Sequence, residues 1–140
     1  MALYTPEMLA LATGLSAYPL AGDFTYRASA RSRTCGSVIE LGLECDQASC
    51  ITRIGMRLAA CAIGQASAAI MAAGMPGRGA SEIAATHQQL EIWLTGQGAL
   101  PEWPGLDVIA PALPHKGRHS ALLLPWTAAT EALCSAETKR

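Results

Sequence analysis

The sequence predicts an α+β fold: a small three-stranded antiparallel sheet packed against about four to five helices, in one domain over residues 1–140. Three observations predict it. Residues 36–45 and 50–58 alternate apolar with polar side chains on either side of a short polar turn, as a hairpin does. Residues 61–73 are small and apolar on nearly every side, which suits a buried helix. Residues 118–136 return to an apolar helical pattern near the end of the chain.

Composition narrows the function classes. Hydrophobic residues make up 51% and charged residues 15%, so the chain folds around a core rather than staying disordered. Net charge is −1 with no basic block, which argues against nucleic acid as a partner. No apolar run reaches the roughly 18–20 residues of a membrane span, so no membrane role is expected. The start lacks a basic region and a cleavage site, so a cytoplasmic location is expected. Five cysteines, an odd number, would there be mostly reduced thiols.

The elements follow in order. Thr5 can cap a helix over residues 5–14, with Pro6 at its first position and Gly14 ending it. Residues 14–22 read as a loop. From Phe24 to Arg33 the chain alternates, Phe24, Tyr26, Ala28 and Ala30 against Thr25, Arg27, Ser29 and Arg31, as an edge strand with one wet face does. In the next strand Ile39, Leu41, Leu43 and Cys45 share a face. Asp46 to Ser49 is turn chemistry. In the third strand Ile54, Met56 and Leu58 oppose Arg53, Gly55 and Arg57.

Cys61 then opens the apolar helix, where unsatisfied N–H groups and the helix dipole favour an anionic sulfur. A second helix runs from Ser81 to about Thr95, with Ile83, His87, Leu90 and Leu94 in a stripe and Gly96 closing it. Residues 96–117 hold four prolines and at most one short helical turn, near 106–110. Pro125 leaves two readings of the last helix open: its regular part begins there, or its first turn is distorted.

The hairpin has a geometric consequence. Cys35 lies just before its first strand and Cys61 just after its second, so pairing brings both to one open end. Cys45 and Cys50 flank the turn. Ten residues of strand separate Cys35 from Cys45, about 30 Å, so those two cannot share a metal, whereas Cys35 and Cys61 can. Cys45 and Cys50 read as small apolar side chains, and Cys134 as a helix-packing residue. His87 reads as a histidine at the rim of the core and His115 as solvated. Trp93, Trp103 and Trp126 read as core or interface residues. Trp103, between prolines, is the one a partner surface would use. No Ser-His-Asp order, paired carboxylates or dinucleotide fingerprint stands out.

Three segments carry a resemblance. Cys35-Gly36-Ser37-Val38-Ile39-Glu40-Leu41 resembles the "CGD-hydrophobic" strand opening of the U-type iron–sulfur cluster assembly scaffolds, the family of IscU, SufU and the NifU N-terminal domain. Cys61-Ala62-Ile63-Gly64-Gln65-Ala66-Ser67-Ala68 is similar to that family's "GCAISxAS" helix start. Arg118-His119-Ser120-Ala121-Leu122-Leu123-Leu124-Pro125-Trp126 looks like its third segment, where a cysteine precedes the last helix. Order and spacing match over roughly residues 20–133.

The resemblance implies a scaffold or carrier, more than an enzyme, that binds metal and accepts sulfur from a cysteine desulfurase, with other iron–sulfur assembly factors as further partners. The family surrounds one metal or cluster with three cysteines and an aspartate. Here Ser37 stands at the aspartate position and Ser120 at the third cysteine position; Cys35, Cys61 and His119 remain. A serine hydroxyl is hard and stays protonated near neutral pH, so it ligates zinc or cluster iron poorly. Cys35, Cys61 and His119 are thus the expected metal ligands, with Cys35 and Cys61 as sulfur acceptors. The cofactor implied is an iron–sulfur cluster or zinc, or neither. The alternatives are a zinc- or thiol-dependent sulfur acceptor, and a regulator that keeps the fold without a working site.

Overall fold

A computed structural model describes residues 5–33 and 36–138. The expected α+β architecture is present. Helix α1 is Pro6–Thr13, strand β1 Tyr26–Arg31, β2 Val38–Cys45, β3 Ile51–Ala59, helix α2 Ala62–Gly74, α3 Ala80–Leu94 and α4 His119–Thr138. The strands form one antiparallel sheet in the order β1-β2-β3.

The cross-strand register follows the apolar alternation. Leu41 pairs with Ala28 and Met56, and Ile39 with Ala30 and Leu58. A one-residue slip would turn Ile39, Leu41 and Leu43 out into water, so burial of that face fixes the register. A bulge between Glu44 and Cys45 sets Cys45 opposite Ile51. It leaves Thr52 and Arg53 both exposed and buries Ile51, which simple alternation from Ile54 would have pointed outward.

Phe24 departs from the expected edge strand. It does not share a face with Tyr26 but folds over the opposite side of the sheet, against Gly42 and Gly55. A Cβ on Gly55 would lie 2.6 Å from the Phe24 ring, so the paired glycines form the trough that receives it. The Arg53 guanidinium covers the ring at 4.0 Å.

Thr5 caps α1 as expected: its Oγ1 accepts from the Met8 N–H at 3.1 Å. Gly14 ends α1 as its C-cap, also as expected, but the segment after it is not all loop, because Gly14–Ala17 forms a 3₁₀ turn. The segment after α3 also holds more than the one short turn expected. Leu106–Ala112 and Lys116–Arg118 are both 3₁₀ turns, the first running through Pro111. Helix α4 begins six residues before Pro125 and passes through it.

The core lies between the sheet and α2, α4 and the 106–112 turn. Helix α2 is buried from Ala66 to Ala72. Its Ser67 hydroxyl donates to the Leu122 carbonyl of α4 at 2.6 Å and accepts from Trp126 Nε1 at 3.0 Å. Trp103 meets Trp126 edge to face at 4.8 Å and donates to the Ile70 carbonyl at 3.0 Å. Trp103 is therefore core, 5% exposed, and not a partner-facing residue. Cys134 is exposed, contrary to its expected packing role, because Ala132 and Leu133 supply the buried face of this turn of α4 and Cys134 lies off it.

Candidate functional site

The antiparallel register aligns Arg31, Val38 and Ala59 across one end of the sheet. Just beyond this row the chain places Ser32, Ser37 and Cys61. The Ser32 N–H donates to the Ser37 carbonyl at 2.8 Å, closing the connection between β1 and β2. Ser37 is 3% exposed. Cys61 is the N-cap residue of α2 in extended conformation (φ −66°, ψ 170°), partly exposed, and its side chain makes no capping hydrogen bond. The helix start thus carries a thiol that is not consumed in holding the helix.

Helix α4 brings its first turn to the same end. Gly64 makes this possible. A Cβ there would lie 3.2 Å from the Ala121 carbonyl oxygen and 2.9 Å from the Ala60 side chain, so the first turn of α2 sits directly against that of α4. Pro125 has no N–H to give that Ala121 carbonyl, which makes the tight approach at Gly64 a contact with a carbonyl lacking its helical donor. The Ser120 hydroxyl lies 2.8 Å from that of Ser32, tying α4 to the end of β1.

His119 Nε2 lies 2.8 Å from the Leu113 carbonyl. A carbonyl only accepts, so Nε2 carries the proton and Nδ1 keeps its lone pair in the neutral ring. Metal-binding histidines are commonly oriented in this way, with one nitrogen fixed by a carbonyl and the other left for the metal.

Of the residues singled out from the sequence, Ser37, Cys61 and Ser120 lie toward one end of the sheet, and His119 precedes Ser120 with its ring turned to the Leu113 carbonyl. Cys35 lies outside the described residues. Among the described residues no three His, Cys, Asp or Glu side chains are arranged to hold a metal ion. Cys61 and His119 alone do not fit a closed zinc site, which takes four ligands. Sequence reasoning missed Ser32. Its signal was present, since it lies one residue before the close of the alternating run 24–33, close to where the next strand opens. The carbonyl that orients His119 comes from the close of an irregular segment, and no sequence pattern marks it.

Cys45 and Cys50 are at the opposite end. They line a cavity of about 300 Å³ between the hairpin turn and the start of α3, apart from Cys61. His87 sits at the rim of the core, 3.2 Å from Thr127 Oγ1. Among the described residues no helix is long and apolar enough to cross a membrane.

No family model matches the sequence, and no curated protein matches it. Solved structures do. A nitrogen-fixing NifU-like protein (N-terminal) from Brucella abortus is 26% identical, with a TM-score of 0.89 over 99% of this chain and 96% of that one. A protein from Fervidobacterium islandicum AW-1, described as an iron–sulfur cluster assembly scaffold for the SUF system, is 19% identical, with a TM-score of 0.84 over 94% and 96%. A hypothetical protein is 22% identical, with a TM-score of 0.72 over 91% and 96%.

Proposed function

We propose, on the premise that this chain has the fold of the U-type scaffolds, that it acts as an iron–sulfur cluster assembly scaffold-like protein. The observation that carries this reading is the likeness to the NifU-like N-terminal domain, which extends over 99% of this chain at a TM-score of 0.89. That coverage also supports reading residues 1–140 as one domain. In the proposed role the chain accepts sulfur from a cysteine desulfurase and holds it with iron as cargo, in the cytoplasm, alongside other assembly factors.

The chain's own residues suit the first step. Cys61 is partly exposed at the start of α2 and free of any capping bond. In sulfur transfer its sulfur attacks the outer sulfur of the desulfurase persulfide. One S–S bond forms on Cys61 and one breaks on the donor. The donor cysteine leaves as thiolate and takes up the proton that Cys61 gave up. Cys35 is proposed as the second acceptor. His119, oriented by the Leu113 carbonyl, is proposed to offer Nδ1 to iron beside Cys35 and Cys61. Ser37 and Ser120 supply hydroxyls where the family has harder-working ligands, so cargo would be held weakly and passed on readily.

One observation favours a second reading, sulfur acceptance without cluster building. The Ser120 hydroxyl is already engaged with Ser32 at 2.8 Å. A third, a regulator that keeps the fold alone, predicts unreactive thiols.

Two measurements separate these readings. The protein is incubated with a cysteine desulfurase and cysteine, then analysed by mass spectrometry. A one-sulfur gain that maps to Cys61 or Cys35 supports the first two readings, and its absence leaves the third. Anaerobic reconstitution with ferrous iron and sulfide, read by visible absorption, distinguishes the first from the second. Ser120→Cys is expected to raise cluster yield, because it returns a soft ligand to the open end. No cluster in either wild type or Ser120→Cys, even with a desulfurase supplying sulfur, rejects the scaffold role.

A further inference from the structure

The two edges of the sheet are treated differently by the chain. The outer edge of β3 is occupied. Its Met56 N–H donates to the Tyr18 carbonyl at 2.9 Å, its Ile51 N–H to the Arg78 carbonyl at 2.8 Å, and its Ile51 carbonyl accepts from Gly77 N–H at 2.9 Å. Strand β1 has β2 on one side. Among the described residues no backbone hydrogen bond reaches its other side, from Tyr26 to Arg31. An edge of this kind is a template for an added strand.

The side chains around this edge define what would fit. On the inner face Tyr26, Ala28 and Ala30 are only half buried, and so are Leu123 and Thr127 of α4 beside them. Between β1 and α4 runs a groove of about 460 Å³ floored by Ala30, Leu123 and Leu124. An added strand would lay every second side chain over this floor, and apolar side chains would cover it best. On the outer face Arg27 and Arg31 are exposed, and neither forms an ion pair among the described residues. The carboxylates of the outer face are engaged, Glu40 with Arg57 at 3.5 Å and Glu44 with Thr25, while the exposed Glu131 of α4 lines the inner-face groove together with Arg31 and Arg33. The alternate side chains of an added strand would therefore meet unneutralised positive charge.

A second copy of this chain is a poor occupant. With inner faces kept together, antiparallel self-pairing centred on Ser29 puts Arg27 opposite Arg31 twice, and self-pairing centred on Ala28 sets Arg27 diagonal to both Arg27 and Arg31 of the copy. Like charges directly opposite destabilise a strand pair. We propose that β1 is a docking edge that accepts, as a fourth strand, an extended segment of a partner protein in which apolar and acidic side chains alternate. The proposal is independent of the thiol chemistry and stands or falls on the edge alone.

The test uses the full chain and two short synthetic peptides, one alternating valine with glutamate and one alternating valine with lysine. The glutamate peptide is expected to bind and to slow amide hydrogen exchange across residues 26–31. The double substitution Arg27→Glu with Arg31→Glu, at exposed positions, is expected to weaken that binding about tenfold and to favour the lysine peptide. A glutamate peptide methylated on alternate backbone nitrogens keeps its charges but loses its ladder donors, and is expected not to bind the unaltered protein. No binding, protection outside β1, or equal binding of the two charge types overturns the proposal. So does protection of β1 by self-association that rises with protein concentration in the absence of peptide, with a dimer seen by sedimentation.

Discussion

The two ends of the sheet use polar groups in opposite ways. At the turn end each group is spent on a neighbour close in sequence or on the adjoining strand. The Asp46 carboxylate accepts from the Ala48 and Cys50 N–H groups at 2.9 and 3.0 Å. The Glu44 carboxylate takes the Thr25 N–H and hydroxyl. At the open end the groups come from distant parts of the chain, Ser32 with Ser120 and His119 with Leu113, and Cys61 is kept out of any capping bond. Polar chemistry at the turn end closes the hairpin. At the open end it fixes α4 beside α2 while leaving a thiol and one imidazole nitrogen for other use.

The strongest way to break this contrast is to loosen the α2–α4 contact on which the open end depends. Trp126 is fully buried, and its indole N–H holds the Ser67 hydroxyl. Trp126→Ala is expected to cost about 3–5 kcal/mol in denaturant unfolding. At temperatures where the variant is still folded it should also lose sulfur acceptance at Cys61, since the first turns of α2 and α4 no longer stay together. Full acceptance in a folded Trp126→Ala protein would show that Cys61 acts without α4.

A paired comparison sharpens the contrast between the ends. Asp46→Ala removes the acceptor for two turn amides and is expected to cost about 1 kcal/mol, read by urea unfolding, with persulfide formation unchanged. Cys61→Ser is expected to do the reverse. Its thiol makes no capping bond, so stability should shift by less than about 0.5 kcal/mol, while the Cys61 persulfide disappears from the peptide map. If Cys61→Ser accepts as much sulfur as the unaltered protein, the role given to Cys61 is wrong.

The hairpin and the buried helix were legible because each rests on a local pattern or a strand count, whereas the segment with His119 and Ser120 was tied to Cys61 only by the family resemblance. Ile39, Leu41 and Leu43 alternate, and their burial then fixes which residues meet at the open end. What stayed hidden depends on contacts between distant segments. Phe24 crosses to the far face because Gly42 and Gly55 happen to be paired, and that pairing exists only once the register is set. Ile51 is buried because a bulge shifts the strand by one residue. The carbonyl of Leu113 orients His119 from a proline-rich segment whose 3₁₀ turns carry little periodicity. Helix α4 continues through Pro125 because packing of Trp126 and Leu122 on α2 outweighs the one lost backbone bond.

The smallest expected effect belongs to the turn end. Hydrogen bonds from the Thr25 backbone N–H, then from its hydroxyl, hold the Glu44 carboxyl below the ordinary carboxylate range, and the Arg53 charge adds to this. A carboxyl lowered in the folded state stabilises the fold above its unfolded pKa of about 4.3, and that contribution is lost as pH falls through the folded value. Glu44→Gln should therefore lower stability slightly near neutral pH and leave it unchanged in strong acid, where the native carboxyl is protonated as well. Because Glu44 lies near the surface, the difference should stay under about 1 kcal/mol and shrink with added salt. Urea midpoints of the two proteins measured from neutral pH down into acid should converge as the pH falls. A constant gap at every pH would mean that the Glu44 charge contributes nothing, and that the turn end is held by shape and backbone bonds alone.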